Sequence, residues 1–382
     1  MNTVLVCCDY YLPGYKAGGP ITTLSSLATA IQDQCRVFIL TTDRDYLDSR
    51  PYFGVDRNVW NDRGGYMVRY LDLKAISISS MAKIISDINP DTVYLNSVFS
   101  YQFSIRPLLA RRLGKVNVSR WVLCPRGELN KGALQKNLIR KMLFLIAAKL
   151  TGLHKGVVWQ GTNHHECSRV YKIIGGSTEI VHVQNLARFV DDDGVPRLMR
   201  KQSGYLKIIF AARINPHKNL MLLLDALSCL DADIELTIFG PVDDRVYWKR
   251  CTEKIIRLPH NIRVIYAGVH DRQVVVEAMR QAHVLVLPSR GENFGQVIFE
   301  SLSVGTPVII SDQTPWKGLS DEGVGFDCSI DSSEPIIRAL SEMVVMDEAH
   351  WLAMVSNAKA YARASIMHNQ IANEMLELLF VK

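Results

Sequence analysis

The 382-residue chain lacks any uninterrupted apolar run of about 18 residues, so no membrane-spanning helix is expected. No Cys-x-x-Cys pair occurs among its eight cysteines, which stand at 7, 8, 35, 124, 167, 229, 251 and 328. Most of these lie inside apolar runs, where a thiol acts as a small hydrophobe. That usage argues against a disulfide framework or a zinc site and for a reduced, cytoplasmic protein. Short-period repeats and low-complexity tracts are missing, as are the Gly-x-Gly-x-x-Gly and P-loop fingerprints of common nucleotide folds. Nor do the first 14 residues carry a basic stretch ahead of their apolar run; they read as a buried strand rather than a signal peptide. Acids are nearly absent from one segment. Residues 101–155 hold twelve Lys or Arg against the single Glu128, a local charge of +11, while the rest of the chain holds 32 bases and 37 acids. A segment so one-sided suits an anionic partner such as phosphate or an acidic lipid surface.

What is present is an ordinary soluble mix, 48% hydrophobic and 21% charged, long enough for two domains. Short apolar runs alternate with longer helix-like stretches. Strands are expected at 4–8, 37–41, 92–95, 121–124, 157–159 and 180–183, then at 206–211, 234–239, 264–267, 284–287 and 307–311. Continuous β-branched runs of this kind suit parallel strands buried on both faces, with room for crossover helices between them. The fold class is therefore α/β, with two doubly wound units that break in the polar stretch 191–204. An N-terminal unit over 1–190 and a second over 204–365 are expected, and 347–380 reads as helical throughout. In such folds ligands bind at the carboxyl ends of strands, beside helix N-termini.

Three post-strand segments carry chemistry. The first holds Gly18-Gly19-Pro20, where glycines admit close backbone approach and Pro20 suits a first helical turn, leaving free amides to face a phosphate. The second holds Arg213 and Lys218, one able to grip phosphate with two bonds and the other adding a mobile point charge. Together they suit a departing diphosphate. The third runs Pro288-Ser289-Arg290-Gly291-Glu292-Asn293-Phe294-Gly295-Gln296 and on to Glu300. Glu292 sits in a loop, and Glu300 lies two helical turns on, among Val297, Ile298 and Leu302, where a carboxylate needs a partner. His164-His165-Glu166 lacks the second histidine of a metal motif and reads as a helix start.

Glu292 and Glu300 match the Glu-x7-Glu signature of the family 4 retaining glycosyltransferases, which the chain resembles over nearly its whole length. Pro288-Ser289, Gly305-Thr306-Pro307, Arg213, Lys218 and the Gly18-Gly19 loop fit the same family in the same order. The resemblance implies a GT-B architecture, two Rossmann-like domains facing across a cleft, with a last helix over 366–382 returning to the first. It implies that Glu300 holds the donor ribose, that Glu292 meets the donor sugar, and that the amides of Asn293, Phe294, Gly295 and Gln296 meet sugar or phosphate. Arg213 and Lys218, helped by Gly18 and Gly19, would neutralise the diphosphate with no metal ion. The donor is expected to be a UDP- or GDP-sugar and the acceptor a lipid-linked saccharide of surface-polysaccharide assembly, O-antigen or capsule in kind.

The chain departs from the family in places. Where many relatives have a histidine after the strand ending at Cys124, it has Arg126, taken here as a catalytic cation; where Gly often follows the lysine, it has Asn219. From the segment 101–155, with Lys136, Arg140 and Lys141 opposite Leu134, Leu138, Met142 and Leu145, a peripheral contact with the anionic inner-membrane face is expected, and no nucleic acid. Two other functions fit the same architecture: a nucleotide-sugar epimerase and a non-catalytic nucleotide-sugar-binding protein.

Overall fold

The computed structural model describes residues 1–135, 137–175, 178–187, 190, 199–365 and 368–381. The chain divides into two compact units, Met1–Leu186 with Met367–Lys382, and Ala187–Ile366. Residues 191–198 of the expected break lie outside the described residues.

The first unit is built on β1 (Thr3–Cys7), β2 (Arg36–Thr42), β3 (Trp60–Asp62), β4 (Met67–Leu71), β5 (Thr92–Asn96), β6 (Arg120–Cys124), β7 (Val158–Gly161) and β8 (Ile180–His182). Their order is β3-β4-β2-β1-β5-β6-β7-β8, and only β3 runs antiparallel to its neighbour. The second unit holds β9 (Tyr205–Ala211), β10 (Asp233–Phe239), β11 (Ile262–Gly268), β12 (Val284–Leu287), β13 (Val308–Ser311) and β14 (Gly325–Cys328), in the parallel order β11-β10-β9-β12-β13-β14. Every residue of β1, β5, β12 and β13 is buried, the result of helices covering both faces. Three strands had no sequence signal. β3 is the polar triplet Trp-Asn-Asp, β4 alternates around Arg69, and β14 carries Gly325 and Asp327. They lie at or near sheet edges, where continuous apolar character is not required.

Each sheet has a point where the strand order reverses. In the first, β1 is flanked by β2 and β5; in the second, β9 is flanked by β10 and β12. At such points the loops leaving the carboxyl ends diverge and open a crevice.

Two helical expectations are corrected. The stretch 347–380 is two helices, Glu348–Ala364 in the second unit and His368–Phe380 in the first. The second of these buries Ala372, Met375, Leu378 and Leu379 against the core that contains Leu24, Leu27 and Ile31. Its last carbonyls are met by side chains of the sheet: Thr92 Oγ1 donates to Leu379 O at 2.5 Å and Arg120 Nε to Leu378 O at 2.7 Å. A cation at a helix C-terminus is favoured by the macrodipole and by its unpaired carbonyls. The stretch 131–150 is also two helices, Lys131–Gln135 and Leu138–Leu150, separated at Asn137, which has a left-handed φ of 62°. That break resets the helical phase. Leu134 and Leu145 are buried as expected, but Leu138 and Met142 are exposed.

Candidate functional site

In the second unit the loops after β9 and β12 meet at the strand-order reversal. Arg213 is exposed two residues past β9. Asn215 then folds the chain back: its Oδ1 accepts from the backbone amides of His217 at 3.0 Å and Lys218 at 3.1 Å, and its Nδ2 donates to Asp243 at 3.0 Å. Lys218 Nζ reaches Glu292 Oε1 at 2.5 Å, and both side chains are mostly buried. His217 ties the same two loops. Its Nε2 lies 2.8 Å from Gly291 O, and its own carbonyl accepts from Arg290 N at 2.8 Å. A carbonyl accepts only, so Nε2 carries the proton. Burial, then the Lys218 ammonium, hold the His217 pKa below the usual histidine value. Asn219 sits at φ 58°, the left-handed region that Asn tolerates better than other side chains. The departure from glycine at this position therefore preserves the backbone.

Gly295, at φ 83°, starts the helix Gln296–Ser303, and a Cβ there would stand 2.7 Å from Ile298 Cδ1, so only glycine fits. Phe294 is fixed by its carbonyl, which accepts from Trp316 Nε1 at 2.5 Å, and by its ring, 5.4 Å from Trp316 and 5.9 Å from Phe299. Asn293 is half-buried and Gln296 buried. Glu300, one turn further, is 7% exposed and does have the partner its burial demands: Arg272 Nε at 2.7 Å. The structure thus brings Lys218 together with Glu292 and seats Glu300 on the following helix. Arg272 was not found from sequence. It lies 28 residues away on the helix Arg272–Arg280, and no local pattern marks it.

The carboxyl edge of the first sheet differs. Gly18, at φ 76°, precedes the helix Gly19–Ile31 and is exposed, with open space where a Cβ would stand. The loop before it is not a ring of free amides: Tyr15 N and Lys16 N donate to Asp45 Oδ2 at 2.8 and 3.1 Å, and Gly18 N to Tyr15 O at 3.0 Å. Arg126, at φ 52° just past β6, donates from Nε to Asn96 Oδ1 at 3.0 Å, from one terminal nitrogen to Tyr94 Oη at 2.9 Å, and from the other to Asn185 Oδ1. Its guanidinium is engaged within the first unit. Glu128 accepts from Ser97 Oγ at 2.7 Å and Val98 N at 2.6 Å, and burial pushes its pKa up. Ser97 is itself held at φ 89°. Asp9, just past β1, accepts from Ser100 Oγ at 2.6 Å and is also pushed up by burial. Glu166 of the His-His-Glu motif is fully buried and accepts from Gly127 N at 2.6 Å, Thr162 N at 2.8 Å and Thr162 Oγ1 at 2.6 Å. No group of three or more metal-ligating side chains occurs among the described residues.

Residues 197–365 match the family model described as glycosyl transferases group 1. A phosphatidyl-myo-inositol mannosyltransferase of Mycobacterium leprae (strain TN) is 30% identical over 200 residues, 50% of each chain. The chain thus spans about half the length of the curated relatives it matches. Among solved structures, WaaG, a glycosyltransferase involved in lipopolysaccharide biosynthesis, matches at a TM-score of 0.68 with 14% identity, covering 99% of this chain and 100% of that one. HepE from Anabaena, in complex with UDP-glucose, matches at 0.67 with 15% identity, covering 99% and 100%. Likenesses at such identity establish the fold, which is GT-B. The group 1 match falls on the second unit and spans Glu292 and Glu300, and in this the chain is similar to the family 4-type glycosyltransferases.

Proposed function

We propose that the chain transfers a sugar, with retention at the anomeric carbon, from a nucleotide-diphospho-sugar to a lipid-linked saccharide acceptor in surface-polysaccharide assembly. The observation that carries this reading is the charge arrangement at the β9/β12 reversal, where Lys218 stands against Glu292 and Glu300 is seated on the helix that follows. In the transfer, the bond from C1 to the leaving phosphate oxygen breaks and the acceptor oxygen bonds C1 on the same face. The acceptor proton passes to the departing phosphate. Arg213 and Lys218 would stabilise the charge that builds on the diphosphate, the task a metal ion performs elsewhere. Glu292 would accept from hydroxyls of the donor sugar, and Glu300 from the ribose. UDP is the favoured base-bearing half, supported by the UDP-glucose held by HepE. A lipid-borne acceptor is supported by the acceptor named for the mycobacterial relative.

The exposed face of Leu138–Leu150 supports contact with an anionic membrane. Leu138, Ile139, Met142, Leu143, Ile146 and Leu150 are each between 41% and 83% exposed. Arg140, Lys149 and Lys155 are exposed beside them. The wider basic segment contributes less than its count suggests. Arg111 and Arg112 are tied to the carbonyls of Gly156 and Thr151, and Arg120 and Arg126 are engaged as described. The apolar face then supplies insertion and the remaining cations supply attraction to acidic headgroups.

The test is thermal unfolding with UDP, GDP, ADP and their sugar conjugates, with and without EDTA. Ligand at about 100 Kd adds about 2.7 kcal/mol. One nucleotide family is expected to stabilise the protein regardless of EDTA, and Glu300→Ala to abolish the effect. Absence of any shift, or a shift that EDTA removes, refutes the donor reading. For the surface, sedimentation with vesicles containing phosphatidylglycerol should fall on Ile139→Glu with Ile146→Glu; binding indifferent to acidic lipid refutes it.

A further inference from the structure

Glu300 raises a physical problem that its expected role does not solve. Its side chain is 9% exposed, on a helix in which Gln296, Ile298, Phe299, Ser301, Leu302 and Ser303 are buried as well. A carboxylate there cannot turn into water, and an uncompensated buried charge is costly. Arg272 supplies a compensating charge. Arg272 is the first residue of the helix Arg272–Arg280, whose N-terminus is closed by Asp271, its side chain accepting from Val274 N at 3.1 Å. The cap fixes the backbone from which Arg272 extends. Its Nε then meets Glu300 Oε1 at 2.7 Å, a charge-assisted hydrogen bond. A carboxylate carries about four lone-pair sites, so one oriented by an arginine can also accept from the neighbouring hydroxyls of a ribose.

From this geometry we infer that Arg272 is a positioning residue for recognition of the donor ribose: it fixes the Glu300 carboxylate in the orientation that accepts the 2′- and 3′-hydroxyls. Arg272 thereby sets the preference for ribonucleotides over deoxyribonucleotides without touching the sugar being transferred. The inference rests on the proposed donor reading of Glu300. A site built to accept from a hydroxyl discriminates strongly against the analogue that lacks it, because its polar group is then left unpaired.

The experiment measures calorimetric Kd values for UDP, 2′-deoxy-UDP, GDP and 2′-deoxy-GDP with the full chain. Wild type should prefer the ribo form of its nucleotide by about tenfold or more. Arg272→Met should weaken the ribo form by about tenfold and the deoxy form by less than about threefold, so that the preference collapses. Arg272→Lys should restore part of it. In turnover, Arg272→Met should raise the donor KM with kcat nearly unchanged, the split expected when only donor binding is loosened. Equal weakening of ribo and deoxy forms would reduce Arg272 to a structural role and overturn the inference, as would tighter binding in Arg272→Met. Glu300→Gln separates the two levels. If it keeps the ribo preference, or if wild type has none, the ribose reading of Glu300 fails and the inference falls with it. If Glu300→Gln loses the preference while Arg272→Met retains it, only the role of Arg272 fails.

Discussion

The two sheets end in similar crevices and use charge there in opposite ways. Beyond the carboxyl edge of the second sheet, Lys218 and Glu292 pair from two loops, and Glu300, one turn into the following helix, pairs with Arg272. At the edge of the first, charge is consumed in construction. Arg126 knits β5 to the segment near Asn185, Glu128 holds the loop after β5, and Glu166 satisfies the turn at Gly127 together with Thr162. Side chains of the same types thus pair across two loops and a helix at one edge and brace backbone and neighbouring strands at the other.

Three measurements break or sharpen that contrast. The largest effect belongs to Lys218→Ala, which should lower kcat/KM for transfer by about 100- to 1000-fold, the usual loss when a charge-stabilising donor is removed. Thermal unfolding of the variant reads separately the cost of leaving the mostly buried Glu292 carboxylate without its ammonium. Wild-type turnover would erase the distinction between the edges. Next, Glu166→Ala should cost the first unit about 3 kcal/mol, because the amides of Gly127 and Thr162 are left buried without an acceptor. Urea unfolding followed through Trp121 and Trp159 reads this directly; an unchanged midpoint would mean that the edge is not held by buried charge. The smallest effect is pH-dependent. His154 is packed edge-on between Phe144 and Trp159, and burial lowers its pKa to about 4 from 6.5. The unfolded chain takes up this proton near pH 6.5 and the folded chain does so only near 4. Stability from His154 is therefore complete above pH 6.5 and is lost as pH falls toward 4, with about 2 kcal/mol gone by pH 5. His154→Leu should flatten the urea midpoint of the first unit between pH 7 and pH 5; an unchanged slope would assign the acid sensitivity elsewhere.

The second unit was legible because its signals are local. The run at 284–287 becomes β12 residue for residue, and Glu292, Gly295 and Glu300 follow within 13 residues of its end. Gly295 is required by its φ, and the spacing of the two acids is set by one loop and one helix. Arg272 was invisible because its contact crosses from one helix to another, a tertiary fact with no periodicity. Arg126 was visible as a cation but not as a strut, since its partners Tyr94, Asn96 and Asn185 come from distant parts of the chain. The helix at 138–150 was misread in one respect only. A left-handed Asn137 shifts the phase, and an apolar stripe looks the same whether it meets a core or a membrane.

The helix His368–Phe380 has a consequence for how the protein is made. A ribosome delivers the strands of the first sheet before residue 183, but the face of that sheet packed by Met375, Leu378 and Leu379 stays uncovered until those residues emerge. The second unit, translated later, has all its strands and helices between Ala187 and Ile366 and can close first. The first unit thus closes only after the second has been made, and until then it keeps an apolar surface open.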